Sequence, residues 1–188
     1  MKTPDESGDS DGLDTRRMKG SLEQRLFGTA VDPVRVGRFV VIDRLGQGGM
    51  GTVFRAYDPD LNRRVALKVL RKTSIAEPER EARLVREAQA LAKLNHPNVV
   101  AVYEVGLLVG RIFVAMEHVE GVELGTWARS LPPPGLPRYR QALEILIQAG
   151  SGLAAAHAAG LVHRVFKPTN VLVGDDGRAR VLDFGLAR

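Results

Sequence analysis

The sequence contains no cysteine among its 188 residues, and it has only one tryptophan. The absence of cysteine excludes disulfides, thiolate catalysis and zinc ribbons. The four histidines lack Cys partners and an H-E-x-x-H spacing, so no metal-binding motif is indicated. Aromatic residues make up only 5% of the chain, which argues against the stacking platforms of single-strand binders. The net charge is +5, but the basic residues are scattered, and we expect no nucleic-acid partner.

Long apolar runs are also absent. The two closest candidates, 99–116 and 145–162, are interrupted by polar or charged residues such as Glu104, Arg111 and Gln148. Neither stretch has the sustained apolar character of a membrane-spanning helix. The first residues are acidic, whereas a signal peptide begins with a basic segment followed by an apolar one. We therefore expect a cytoplasmic protein without a membrane span.

The order of the predicted elements indicates an α+β fold, in which a strand-rich half with one helix precedes a helical half. Residues 1–34 are rich in Asp, Ser and Gly and show no apolar period, which predicts a disordered tail. A short hairpin is expected at 171–173 and 180–182. The alternation and spacing of apolar residues predict strands at 39–45, 52–57, 64–70, 99–105 and 111–118, and helices at 78–94 and 138–159.

A glycine cluster joins the first two predicted strands. Gly46, Gly48 and Gly51 follow the G-x-G-x-x-G spacing, which lets backbone amides approach phosphate oxygens because no Cβ intervenes. The same spacing occurs in dinucleotide-binding folds, but there the glycines connect a strand to a helix and not to another strand. Taken alone, the cluster is equally compatible with a flexible hairpin tip.

A lysine and a glutamate form a second constellation. Lys68 lies on the third predicted strand, where a lysine is usually an edge residue whose charge reaches water. Glu87 comes three residues after Leu84 and four before Leu91, in the middle of the apolar stripe of the next helix. A buried carboxylate without a partner is costly, so Lys68 is its natural partner. Glu81, at the beginning of that helix, is a weaker candidate.

Several segments together resemble the motifs of protein kinases. Residues 161–170, Leu-Val-His-Arg-Val-Phe-Lys-Pro-Thr-Asn, resemble the H-R-D-L-x-x-x-N catalytic loop, and Asp-Phe-Gly at 183–185 supplies the D-F-G that follows it. Val-Ala-Leu-Lys at 65–68 resembles the V-A-I-K strand. With the glycine cluster and Met-Glu-His-Val at 116–119, these motifs occur in family order over 39–188. The chain is similar to bacterial serine/threonine protein kinases, and the resemblance implies a protein-kinase-like fold.

The resemblance implies a site for ATP and Mg²⁺ in which a few charged residues act on the phosphates. Lys68 and Glu87 would form the ion pair that positions the α- and β-phosphates, and Lys167 would steady the transferred phosphate. Asn170 and Asp183 are oxygen ligands of the kind that Mg²⁺ takes alongside substrate phosphates.

The resemblance also implies where adenine would bind. Met116 would be the gatekeeper, and the main chain of Glu117 and Val119 would meet the adenine edge, although 116–119 alone is equally compatible with an ordinary strand and loop. The implied ATP-binding set is Leu45, Gly46, Gln47, Gly48, Gly49, Met50, Gly51, Val53, Ala66, Lys68, Met116, Glu117, Val119 and Leu172.

The sequence departs from the family at the catalytic position. Val165 stands where the family has the aspartate that handles the substrate hydroxyl, and there is no Asp or Glu between Gly160 and Asn170. Loss of such a group typically lowers the rate by about 10²- to 10⁴-fold. We therefore expect phosphoryl transfer to be impaired.

The sequence runs to Arg188 and contains no A-P-E motif after D-F-G. We expect a complete kinase N-lobe at 35–117 and a partial C-lobe at 118–188. In a partial C-lobe the helix at 138–159 would lose much of its cover. The apolar residues concerned are Leu143, Ile145, Leu146, Ile147 and Leu153.

Three interpretations stay open on the sequence alone. The first is a serine/threonine protein kinase that keeps its ATP and Mg²⁺ site but transfers phosphate poorly to a protein substrate. The second is a pseudokinase or scaffold that binds a partner kinase. The third is a gene fragment without a function of its own.

Overall fold

The computed structural model describes residues 33–49, 51–71, 90–108 and 110–184. The predicted tail at 1–34 lies almost wholly outside these residues, and so does most of the helix predicted at 78–94. Residues 90–92, at the end of that predicted helix, are helical. The tail and the rest of the helix stay predictions.

The described residues form two compact units. The first contains 33–71 and 106–113, and the second contains 90–105 and 114–184. One antiparallel hairpin follows another in the first unit, as the alternating sequence predicts, and the helices belong to the second unit. The α+β class predicted from the order of elements is confirmed.

A six-stranded sheet has the order β1-β2-β3-β4-β6-β5. β2 continues to Gly48, beyond the predicted end at Leu45, because Gly48 still pairs with Gly51 across the hairpin. β5 begins later than predicted, because Val99 forms a parallel bridge with Val181 and leaves the strand to start at Val102. The strands are β1 Arg35–Val36, β2 Phe39–Gly48, β3 Gly51–Asp58, β4 Arg63–Leu70, β5 Val102–Leu108 and β6 Arg111–Glu117.

Two phenylalanines anchor the core of the first unit. The rings of Phe39 and Phe113 meet edge to face with 5.9 Å between their centroids, an arrangement that aromatic quadrupoles favour. Gly106 makes this packing possible, since a Cβ there would lie 2.3 Å from the Phe113 ring. On the outer side of Phe39, Arg38 stacks over the ring and pairs with the fully buried carboxylate of Asp58.

The second unit combines helices with a small sheet of order β7-β8-β9. Two of its elements, β7 and α1, are too short for the sequence pattern to have predicted. α2 begins at Leu136, earlier than predicted, because Pro137 fits the first turn, and Gly160 with φ +76° follows its end. The elements are β7 Gly121–Glu123, α1 Leu124–Ser130, α2 Leu136–Ala158, a 3₁₀ turn Pro168–Asn170, β8 Val171–Gly174 and β9 Ala179–Val181.

One face of α2 packs on the core of the second unit. Ile145, Ala149 and Ala156 are buried there at helical spacing, in one cluster with Val181 and Phe184. The expectation that Ile145 would lose its cover is therefore wrong, because it lies on the stripe facing β9.

A second apolar stripe on α2 does lie exposed, as expected. Leu143, Leu146 and Ile147 expose 57%, 52% and 61% of their surfaces. Leu153 is intermediate, since it is partly buried against the core cluster. Within the ranges that the structure describes, no helix combines the length and apolar character needed to cross a membrane.

Candidate functional site

The glycine cluster lies at the tip of the β2–β3 hairpin. A Cβ at Gly51 would lie 2.1 Å from the carbonyl oxygen of Val69 in β4, so packing demands glycine there. Gly46, Gly48 and Gly49 differ, because a Cβ at any of them would meet nothing within 4 Å. Packing among the described residues thus gives no reason for three of the glycines, whereas backbone access for a phosphate would.

The residues flanking these glycines are open to solvent. Leu45 exposes 44% of its surface, and Gln47 is exposed and accepts a hydrogen bond from the guanidinium of Arg44 at 3.4 Å. Met50 lies outside the described residues.

Lys68 is not an edge residue. It lies in β4, every residue of which from Val65 to Leu70 is buried, and only 5% of Lys68 is exposed. Val53 is its cross-strand neighbour, and Ala66 lies two positions along the same strand, so all three side chains share one face of the sheet. Glu87 lies outside the described residues, and the Lys68–Glu87 pair stays a prediction.

Hydrogen bonds among its own residues close the catalytic-loop segment. The side-chain Nδ2 of Asn170 donates to the carbonyl of Val165 at 2.9 Å, and the N–H of Val165 donates to the carbonyl of His163 at 2.8 Å. The N–H of Asn170 donates to the carbonyl of Lys167 at 2.9 Å, which forms the 3₁₀ turn. The Val165 side chain forms none of these bonds and is 42% exposed. The loop therefore keeps this shape without an aspartate at position 165.

This loop is joined to the segment that contains Asp183. The ring of His163 is buried, and its Nε2–H donates to the carbonyl of Leu182 at 2.9 Å, since a carbonyl can only accept. The N–H of Leu182 donates in turn to the carbonyl of Asn170 at 3.0 Å. The His163 ring also lies 4.8 Å from the Phe184 ring. Bonds on both sides of Leu182 thus hold Asp183 beside the loop that carries Asn170.

The backbone of Asp183 has φ 64°, in the left-handed region. This conformation is uncommon for residues other than glycine, and it clusters at functional sites, where the surrounding structure holds it in place. Arg164 in the catalytic loop has a similar φ of 63°. Two of the three left-handed residues other than glycine that the structure describes thus lie in the motifs that resemble the kinase catalytic loop and D-F-G, and the third, Asn62, lies in the β3–β4 turn.

The donor set suits Mg²⁺ bound together with a nucleotide. Among the described residues, no group of three or more His, Cys, Asp or Glu side chains could hold a metal ion by itself. Mg²⁺ in kinase-type sites needs only one or two protein oxygens and takes the rest from phosphates and water. The hydrogen bond from Nδ2 to the Val165 carbonyl orients the Asn170 amide, and its Oδ1 is the atom that could act as a ligand together with the Asp183 carboxylate.

The segment 116–119 comprises the last two residues of β6 and the two that follow. Met116 is 8% exposed in β6, and the N–H of Glu117 donates to the carbonyl of Ala101 at 2.8 Å. Val119 is partly buried, and Leu172 lies on β8 between Glu123 of β7 and Arg180 of β9.

Sequence reasoning missed a charged residue that contacts this segment, Arg180, and the carboxylate of Asp176 that binds it. Arg180 Nε lies 2.9 Å from an Oε1 of Glu117, and the Arg180 guanidinium binds both carboxylate oxygens of Asp176 at 3.0 and 2.7 Å. The hydrogen bond from Arg180 lowers the pKa of Asp176 to about 2, and the same bond raises the pKa of Arg180. The four-residue spacing of Asp176 and Arg180 was the only signal for this pair in the sequence.

The predicted residues divide between the two units. Within the second unit the structure brings the loop of Val165, Lys167 and Asn170 together with Asp183. The first unit carries Leu45, Gly46, Gln47, Gly48, Gly49, Gly51, Val53, Ala66 and Lys68, and the second carries Met116, Glu117, Val119, Val165, Lys167, Asn170, Leu172 and Asp183.

The similar sequences among known proteins include bacterial serine/threonine protein kinases. The serine/threonine-protein kinase PknE of Mycobacterium tuberculosis is 41% identical over 170 residues, which cover 90% of this chain and 28% of PknE. The probable serine/threonine-protein kinase pknA2 of Bifidobacterium longum is 39% identical over 155 residues, covering 81% of this chain and 20% of that protein. The chain thus spans less than a third of these relatives.

The comparison with solved structures also finds a protein kinase domain. The crystal structure of the Mycobacterium tuberculosis PknI kinase domain superposes with a TM-score of 0.70 at 32% identity, covering 85% of this chain and 64% of that one. Residues 39–188 match the protein kinase domain family. The chain therefore belongs to the protein kinase family, as its ordered motifs predicted.

Proposed function

We propose that this chain is a serine/threonine protein kinase module that binds ATP with Mg²⁺ and is impaired in phosphoryl transfer to protein Ser or Thr. The observation that carries the proposal is the loop of residues 163–170. Hydrogen bonds to Val165 and from Leu182 hold Asn170 beside Asp183. Val165 stands where the family has the catalytic aspartate. The two residues that would hold Mg²⁺ are thereby kept together without the group that would accept the hydroxyl proton.

In this proposal the phosphates interact with backbone amides and two lysines. The open space at Gly46, Gly48 and Gly49 leaves their amides accessible to phosphate oxygens. Lys68 would contact the α- and β-phosphates, and Lys167 would steady the γ-phosphate. Asn170 and Asp183 would hold Mg²⁺, which when bound neutralises charge on the phosphates.

The adenine would meet the main chain of Glu117 and Val119. Val53 and Ala66, which share a sheet face with Lys68, and Leu172 would supply the apolar surface that nucleotide bases need. The division into an N-lobe at 35–117 and a partial C-lobe at 118–188 is part of the same proposal, and so are a cytoplasmic location and a protein substrate.

A second candidate is a pseudokinase or scaffold that binds nucleotide or a partner kinase without transfer. Val165 favours it, because an exposed valine in a loop of intact shape is what a lost catalytic residue would leave behind. The two candidates share the nucleotide site and differ in whether any transfer remains.

Thermal unfolding of the 188-residue chain tests the nucleotide site. Mg²⁺-ATP at a hundred times its Kd should raise the free energy of unfolding by about 2.7 kcal/mol. Lys68→Met should abolish most of this gain, whereas Lys93→Met, the same change at an exposed lysine, should leave it intact. A folded wild-type chain whose melting is unchanged by millimolar Mg²⁺-ATP would contradict the proposal.

A further inference from the structure

Arg180 connects the β8–β9 hairpin to Glu117, far away in sequence. Its Nε donates to one Glu117 oxygen at 2.9 Å, while its two terminal nitrogens bind Asp176 side by side. The Arg180 side chain is only 12% exposed, and that of Glu117 is 26% exposed, so water screens this contact less than a surface pair. The other Glu117 oxygen accepts the N–H of Ala101 at 3.4 Å. The Glu117 carboxylate is therefore held from two directions.

The same hairpin contacts the next residues of the segment. The N–H of Asp175 donates to the carbonyl of Glu120 at 2.8 Å, and Gly121 pairs with Gly174. A Cβ at Gly174 would lie 2.5 Å from the Asp176 carboxylate and 2.9 Å from a terminal nitrogen of Arg180, so glycine here leaves room for that ion pair. Glu117, Glu120 and Gly121 thus contact the hairpin, and Arg180 makes the contact at the N-terminal end of the segment.

We propose that Arg180 is a positioning residue that orients the main chain of 117–119 toward the nucleotide base. The inference rests on the proposed ATP site, because that main chain is the part expected to read the adenine edge. Asp176 acts on Arg180 and not on the segment itself. Its bidentate contact fixes the plane of the guanidinium, so that Nε points at Glu117.

The test compares two matched substitutions in the full 188-residue chain. Arg180→Gln removes the contact with Glu117, whereas Arg178→Gln removes a similar charge from the same hairpin, where Nε lies 3.9 Å from Asp176. Each protein is titrated with ATP and with inosine triphosphate, whose base presents a different edge. Amide hydrogen exchange of the peptide covering 116–121 is measured without nucleotide.

Arg180→Gln should weaken ATP binding by roughly tenfold, the order expected for loss of one charge-assisted hydrogen bond, and should reduce the preference for ATP over inosine triphosphate. Exchange of the Glu117 amide should accelerate by a similar factor. Arg178→Gln should change neither quantity, and Arg180→Lys, which keeps the charge but not the forked geometry, should fall between them.

Three outcomes would overturn the inference. The first is ATP affinity and amide exchange of Arg180→Gln within twofold of the wild type. The second is an equal loss for both nucleotides with unchanged exchange, which would indicate that Arg180 acts on the triphosphate common to both and not on the segment that faces the base. The third is a wild-type chain that binds no ATP, and this result alone would also overturn the proposed function.

Discussion

The side-chain amide of Asn170 donates to the main-chain carbonyl of Val165 over 2.9 Å. The acceptor is a main-chain carbonyl oxygen, which every amino acid has, so the valine side chain neither makes nor prevents the bond. The catalytic loop can therefore lose its aspartate and keep the position of Asn170. This separation of loop shape from loop chemistry makes the role of residue 165 testable by itself.

Restoring the carboxylate should increase transfer once the rest of a kinase domain is present. In a chimera that continues this chain with the activation segment and C-terminal helices of PknE, Val165→Asp should raise phosphoryl transfer by about 10²- to 10⁴-fold. Residue 165 is 42% exposed, so a new carboxylate there stays solvated and should not destabilise the loop. Radiolabelled phosphate transfer to a generic protein substrate measures the change.

Val165→Asn is the matched control, because asparagine has the shape of aspartate but cannot accept the proton. It should stay near the valine level. In the 188-residue chain tested by itself, Val165→Asp should not suffice, since positioning of a substrate is worth roughly 7–11 kcal/mol, more than the base contributes. Equal activity of the valine and aspartate chimeras would contradict the role assigned to this position.

Two glycines of α2 should respond to alanine in opposite directions. A Cβ at Gly152 would lie 2.3 Å from the carbonyl oxygen of Asn98, a backbone atom with little room to move. Gly152→Ala should therefore lower the free energy of unfolding by about 1–3 kcal/mol. Gly150 has nothing within 4 Å of its Cβ position, so Gly150→Ala should raise stability by up to about 1 kcal/mol through helix propensity. Urea denaturation distinguishes the two, and the same sign for both would refute this packing.

Two alanine substitutions in the glycine hairpin should distinguish an effect on stability from an effect on nucleotide binding. Gly51→Ala would place a methyl group 2.1 Å from the Val69 carbonyl, so a loss of about 1–3 kcal/mol of stability is expected. Gly48→Ala meets no atom within 4 Å, and its stability should stay within about 0.5 kcal/mol of the wild type. Its effect should appear in the Kd for Mg²⁺-ATP instead. A Gly48→Ala protein as unstable as Gly51→Ala would show that packing, not ligand access, explains Gly48.

The Arg38–Asp58 pair should make stability depend on acid pH. The hydrogen bond from Arg38 lowers the pKa of Asp58 below its ordinary value of 3.8, and the carboxylate is fully buried. Because the folded-state pKa is depressed, the contribution is present above pH 3.8 and is lost as the pH falls through the folded-state pKa. Asp58→Asn should lower the free energy of unfolding by about 1–2 kcal/mol at pH 7 and by less at pH 3. The range already allows for the partial exposure of Arg38, which weakens the ion pair.

Asp60→Asn is the control for this pair. Asp60 lies 3.4 Å from Arg38 but is 67% exposed, so its removal should have almost no effect at either pH. Denaturant titrations at both pH values measure the difference. A cost for Asp58→Asn that stays the same from pH 7 to pH 3 would argue against a charged Asp58.

Motif order and local pattern were readable from the sequence. The family, the strand–glycine–strand hairpin and the residues of the catalytic loop and D-F-G segment depend on neighbours within a few positions. Alternation and helical spacing record such neighbours directly. Met50 and Glu87 were read in the same way, and their roles stay predictions because they lie outside the described residues.

Other features depend on which distant segments meet. The sequence pattern alone could not show that Lys68 itself is buried in β4, that Ile145 faces the core while Ile147 does not, or that Arg180 binds Glu117. The sequence alone determined which chemical groups the chain has and their order along it. Tertiary structure decided their partners and burial, because hydrogen bonds and ion pairs form across space, and their strength depends on how completely packing removes water.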